Sequence, residues 1–156
     1  MGRLLQLSKV KFQKEPGNSK VKRAEIIGFP GVIRMGVHGG VSQFFGLNPD
    51  EPLASTLDYA VAAIGGCLTG TVAGALEARG VCSDSEKFDA QAEGRIEEVD
   101  GKMLLTHVTM KYRLKVPKDK RASVERALEH HEETCPVSAS VRRGITIDWK
   151  AEYEEE

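Results

Sequence analysis

Two cysteines, Cys67 and Cys135, offer the most reactive chemistry in this chain, and the second has the more informative neighbours. In His130-His131-Glu132-Glu133-Thr134-Cys135-Pro136-Val137, two imidazoles and a thiol fall within six residues. Such a group is a metal site, a redox-active thiol or an inert buried sulfur. Structural metal sites close with four ligands at short, regular spacings. Neither a second Cys-x-x-Cys nor a His-x3-His is present, and His38 and His107 lie far along the chain. A metal site is therefore the weakest of the three readings. His131 continues an apolar helical face formed by Val124, Ala127 and Leu128, which leaves His130 for solvent. Proline is favoured at the first position of a helix, so Pro136 predicts a short helix over "PVSASVRR" with Cys135 at its cap and Gly144 at its end. A thiol at a helix N-terminus feels the positive end of the dipole, and this favours the thiolate.

Cys67 sits in a different environment. The segment "LASTLDYAVAAIGGCLTGTVAGALEARG" reads as a helix starting near Ser55 and stopping at Gly80. Its uncharged portion, Ala60 to Leu76, is 17 residues. That is slightly short for a bilayer span and rich in Ala, Gly and Thr, so a buried soluble helix is expected. Glycine in a helix interior costs about 1 kcal/mol relative to alanine, yet Gly65, Gly66, Gly70 and Gly74 all lie inside this helix. Gly66, Gly70 and Gly74 fall every fourth residue on one stripe, which suggests close approach of another backbone. Cys67 lies beside that stripe, where a cysteine taken alone reads as a small hydrophobe. Ser55 and Asp58 fit a capping box at the helix start. Asp58 is nine residues from Cys67, about 13.5 Å of helix rise, so the two do not touch along the helix.

The remaining elements must position these groups. "LLQLSKVKF", "KVKRAEIIG" and "GVIRMGV" read as strands separated by the turn formers "EPGNS" and "GFPG". "HGGVSQFFGLNPDEP" reads as a loop carrying Phe44 and Phe45. "FDAQAEGRI" and "VTMKYRLKV" alternate as a hairpin, with Asp100-Gly101 placed for a turn and Val108, Met110, Tyr112, Leu114 and Val116 on one apolar face. "PKDKRASVERALEHH" is helical, and Ile145, Ile147, Trp149, Ala151 and Tyr153 alternate in a last strand. Strands, a long helix, a hairpin, helices and a strand make an α+β arrangement. At 156 residues without an internal linker, one domain over 1–156 is expected.

Bulk composition narrows the partners. Lys plus Arg (22) and Asp plus Glu (23) nearly cancel, so no charge excess favours nucleic acid or an anionic membrane. The N-terminus shows no signal-peptide pattern, and three cysteines are too few for a secreted disulfide framework. The expectation is a cytoplasmic protein with a small-molecule or protein partner.

Two separated segments together resemble one family. "LDYAVAAIGGCLTGTVAGALEARGV" is similar to the cysteine-bearing central helix of the OsmC/Ohr family, the osmotically inducible and organic-hydroperoxide-resistance proteins. "CPVSASVRRGITIDWKAEY" is similar to its second cysteine segment and last strand. The resemblance runs from about residue 50 to the C-terminus. It implies an intertwined homodimer whose central helices pack together, with active sites at the subunit interface. It also implies thiol peroxidation without metal or organic cofactor. Cys67 attacks a hydroperoxide and becomes a sulfenic acid, Cys135 closes a disulfide with it, and an external dithiol restores both. In the better-characterised peroxidase branch an arginine and a glutamate activate the first cysteine. By resemblance those roles fall here to Arg34 in "GVIRMGV", with Arg23 as a weaker candidate, and to Asp58, which is shorter than glutamate. Phe44 and Phe45 are candidate pocket lining. The "AIGGC" context resembles the OsmC-like branch, and the missing glutamate leaves an alternative: a homodimer that binds a small apolar ligand without peroxide chemistry. Cys82 in "GVCSDSE" matches nothing in the pattern and reads as a loop thiol.

Overall fold

The computed structural model describes residues 3–142, 144 and 146–155. It divides into two compact units, Met1–Thr56 and Leu57–Glu156.

The first unit is a small antiparallel sheet of β1 (Val10–Glu15), β2 (Asn18–Ile26) and β3 (Ile33–Met35), in that order. Gly17, at φ 75°, makes the β1–β2 turn in a conformation that L side chains rarely adopt. Val10 faces Ile26, Phe12 faces Ala24, and Arg34 on β3 faces Arg23 on β2. The strand expected over "LLQLSKVKF" starts later than the sequence pattern suggests. Leu4, Leu5 and Leu7 precede β1 and are exposed. The "HGGVSQFF" loop contains a short helix, α1 (Gly39–Phe44), with the Ser42 hydroxyl donating to the Gly39 carbonyl at 2.8 Å. The chain then returns to β3, where the Gly36 N–H donates to the Ala54 carbonyl at 3.0 Å. A Cβ on Gly36 would stand 2.9 Å from that of Leu53, so glycine permits this approach.

The second unit holds the long helix and the larger sheet. Helix α2 (Thr56–Glu77) ends in a Schellman motif. Val81 N–H donates to Leu76 O, Gly80 N–H donates to Glu77 O, and Gly80 takes φ 64°. Strands β4 (Phe88–Val99) and β5 (Lys102–Val116) form the expected hairpin, with Asp100 and Gly101 both at positive φ. Strand β6 (Thr146–Glu155) lies parallel to β5 on its other side, a pairing that strand alternation alone does not specify. The expected position of Ile145 lies outside the described residues. Between β5 and β6 the chain makes a 3-10 turn (Lys118–Lys120), α3 (Arg121–Leu128), α4 (His131–Thr134) and α5 (Pro136–Val141).

Ile64, Leu68, Val72 and Leu76 recur every fourth residue on α2 and are fully buried against Val108, Met110, Tyr112 and Leu114 of β5. Each such side chain contributes about 1.5–3 kcal/mol. The closest approach of helix to sheet is at Gly65, where a Cβ would stand 2.8 Å from that of Ala92. The expected close contact along Gly66, Gly70 and Gly74 is not made within this chain. All three are exposed, and beyond the helix's own backbone no described atom lies within 4 Å of a methyl placed at any of them. Helix α2 is thus buried within this chain on one face only. By length and composition it is also long and apolar enough to cross a membrane.

Candidate active site

Cys67 and Cys135 lie 68 residues apart in sequence and meet in the core of the second unit. Cys67 comes from the middle of α2 and is half-buried; Cys135 is fully buried. Cys135 is the N-cap of α5 and Pro136 its first residue, as the sequence predicts. The Cys135 N–H donates to the His131 carbonyl at 3.2 Å, which stitches α4 to α5 and aims the thiol inward. The two thiols are unbridged and close enough for Cys135 to raise the pKa of Cys67.

The start of α5 reaches Cys67 as well as Cys135. The Val137 N–H, an amide of that first turn, is near enough to the Cys67 sulfur to favour its thiolate. Burial pushes the Cys67 thiol up and the neighbouring Cys135 adds to the rise, while the Val137 N–H opposes both.

A polar and aromatic wall backs the buried thiol. His131 and Tyr112 are both buried, whereas His130 is exposed. The carbonyl of Leu128 lies 2.7 Å from His131 Nδ1 and can only accept, so Nδ1 carries the proton. Nε2 is then the acceptor for the Tyr112 hydroxyl at 3.0 Å. Burial lowers the His131 pKa and keeps the ring neutral. The Tyr112 phenol is pushed well above its ordinary range, first by burial and then by nearby negative charge at Cys135 and Glu132. The Trp149 ring stands edge-on to His131 with centroids 5.0 Å apart. Ser138, also fully buried, has no hydrogen-bond partner for its hydroxyl among the described residues.

Asp58 lies in the first turn of α2, nine positions before Cys67. Arg34, in the first unit, forks to two carboxylates. Its Nε and one terminal nitrogen donate to Glu15 at 2.7 Å each, and its terminal nitrogens donate to Glu51 at 2.8 Å each. Both glutamates are held below their ordinary range, chiefly by these bonds. Glu51, one of the two carboxylates that Arg34 meets, was not singled out by sequence. The available signal was that Glu51 is the nearest glutamate ahead of Cys67. Glu15, in a turn-side position on β1, gave no such signal. Phe44 and Phe45 are exposed and stack edge-on, with centroids 5.2 Å apart. Cys82 is an exposed thiol donating to Asp84 at 3.0 Å. Among the described residues, no three His, Cys, Asp or Glu side chains gather as a metal-binding group.

An α+β fold in which a long glycine-bearing helix and a Cys-Pro helix cap bring two thiols into contact defines a class of two-cysteine proteins. The chain belongs to the OsmC-like protein family, whose model matches residues 49–150. Solved structures agree on the fold. An organic hydroperoxide resistance protein from Elizabethkingia anophelis matches with a TM-score of 0.73 at 12% identity, covering 98% of this chain and 100% of that one. A hypothetical protein from Aquifex aeolicus matches with a TM-score of 0.68 at 18% identity, covering 97% and 99%. The organic hydroperoxide resistance protein OhrB of Bacillus subtilis matches with a TM-score of 0.65 at 15% identity, covering 96% and 100%. Identities this low speak to fold alone. No curated protein matches the sequence.

Proposed function

We propose that the protein is a thiol-dependent peroxidase that reduces organic hydroperoxides. The observation that carries this reading is the proximity of a half-buried Cys67 and a fully buried Cys135 in one core cluster. A peroxide needs one accessible sulfur, and a reversible cycle needs a second within reach. In the proposed reaction the Cys67 thiolate attacks the terminal oxygen of R–O–O–H. The S–O bond forms as the O–O bond breaks, and the departing alkoxide takes a proton to leave as R–OH. Cys135 then displaces the hydroxyl from the Cys67 sulfenic acid as water and closes a disulfide, which an external dithiol reduces.

Three further elements belong to the same proposal. The exposed Gly66, Gly70 and Gly74 stripe supports a homodimer in which a second copy's helix covers it. Arg34, braced by Glu15 and Glu51, is proposed to favour the reacting thiolate, and Asp58 is retained as a second candidate for that role. A reducing, cytoplasmic setting is the one in which a dithiol can complete the cycle, without nucleic-acid or membrane partners.

Intact mass and thiol counting before and after one equivalent of cumene hydroperoxide test the reading. The expected result is loss of two thiols, mapped to Cys67 and Cys135. Survival of all three overturns it. That outcome would favour the second reading, a small apolar ligand bound without peroxide chemistry, which is supported by the burial that pushes the Cys67 thiol up. Ligand retained through purification, seen by native mass spectrometry, is its test.

A further inference from the structure

Two buried side-chain atoms have no hydrogen-bond partner among the described residues: Glu132 Oε2, which lies 3.6 Å from His131 Nδ1, and the Ser138 hydroxyl, three residues after Cys135. Leaving a hydroxyl buried and unpaired costs about 1–3 kcal/mol, and Ser138 is fully enclosed with no hydrogen-bond partner among the described residues. Its position is informative. Cys135 is the N-cap of α5, so Ser138 is the third helical residue, the two positions whose side chains reach back and forth across the first turn to each other's backbone N–H in a capping box. Cys135 makes no side-chain capping bond, and its own N–H is taken by His131. Neither residue therefore performs the usual capping role.

Closing a disulfide requires Cys135 to develop negative charge at a site with no exposure to bulk water. A buried thiolate needs hydrogen-bond donors, and the neighbouring side-chain donors are already committed. The Tyr112 hydroxyl serves His131, and His131 Nδ1 serves the Leu128 carbonyl. The titratable groups around Cys135 are Cys67 from α2, Tyr112 from β5, and His131 and Glu132 from α4. His131 is kept neutral, and Glu132 and the phenol oxygen of Tyr112 oppose negative charge. The Ser138 hydroxyl is the side-chain donor left over.

We propose that Ser138 is the hydrogen-bond donor to the Cys135 thiolate, engaged by a side-chain rotation when that sulfur ionises to close the disulfide. The disulfide step rests on the peroxidase reading. In it the Cys135 sulfur forms the S–S bond, the S–O bond of the Cys67 sulfenic acid breaks, and the thiol proton leaves with the hydroxyl as water. Ser138 stabilises the sulfur between proton loss and bond formation.

The test is a thiolate-absorbance titration of Cys135 in a Cys67→Ser, Cys82→Ser background, where it is the sole thiol of the three in the chain. Ser138→Ala is expected to raise the Cys135 pKa by about one unit, tenfold less thiolate at a given pH. Ser138→Thr, which keeps the hydroxyl, is expected to leave it in place. Removing an unpaired buried hydroxyl does not threaten folding, so the alanine variant can be measured. An unchanged titration in Ser138→Ala overturns the proposal, as does a threonine variant that shifts as far as alanine. With all three thiols present, Ser138→Ala should also prolong the Cys67 sulfenic acid several-fold, read by dimedone trapping after cumene hydroperoxide. An unchanged lifetime of a trapped sulfenic acid removes Ser138 from disulfide closure. The titration uses no peroxide, so a lack of peroxidase activity leaves its outcome interpretable.

Discussion

The backbone N–H of Val137 lies close enough to the sulfur of Cys67 to favour its thiolate, although Val137 stands two residues after the other cysteine. The Cys-Pro turn therefore does two things at once: it buries one thiol at its cap and brings a first-turn amide near the other. The two cysteines are unequal as a result, one half-buried with an amide nearby and one fully buried.

That inequality predicts different losses on substitution. Cys67→Ser should abolish hydroperoxide consumption. Cys135→Ser should retain one turnover and then accumulate Cys67 as sulfinic or sulfonic acid, because no sulfur intercepts the sulfenic acid. Peptide mass mapping after excess cumene hydroperoxide distinguishes the two. Equal, complete loss in both variants would remove the attacker and resolver roles.

The glycines of α2 separate packing within a chain from packing between chains. At Gly65 a methyl would crowd Ala92, so Gly65→Ala should destabilise by about 1–3 kcal/mol despite alanine's better helix propensity. At Gly70 there is open space, and within one chain Gly70→Ala should gain up to about 1 kcal/mol. If a second copy covers the stripe, Gly70→Leu should shift the protein from dimer to monomer in sedimentation. An unchanged association state in that variant speaks against the proposed helix-to-helix interface.

Acid should weaken the buried His131–Tyr112 pair. Burial holds the folded pKa of His131 below its unfolded value near 6.5. The stabilisation is therefore complete above that value and is lost as pH falls through the folded pKa. Thermal midpoints should decline below about pH 6.5, and the decline should be smaller in His131→Gln, which cannot titrate. Tyr112→Phe leaves Nε2 without its donor and should cost about 1–3 kcal/mol in urea unfolding.

Arg34→Lys keeps the charge but cannot fork to Glu15 and Glu51 together. If Arg34 serves the thiolate, the variant should slow hydroperoxide reduction by about 10- to 100-fold, as should Glu51→Gln, in stopped-flow traces of Cys67 oxidation. Wild-type rates in both would exclude this cluster from the chemistry.

Much of this molecule is written locally. The capping proline at Pro136, the Asp100-Gly101 turn, the Gly80 stop of α2 and the alternation along β5 each follow from backbone preferences of residues a few positions apart, and the structure has all four. Cys135 was legible as a candidate for the same reason, whereas Cys67 became one only through the family resemblance. Their contact was decided by tertiary packing alone, because it depends on where two helices 68 residues apart come to rest on one sheet. The same holds for the β5–β6 parallel pairing, for the nearness of the Val137 amide to Cys67, and for the pairing of Arg34 with Glu51. Hydrogen bonds between distant segments leave no periodic trace in sequence, so only the folded chain reveals which donor meets which sulfur.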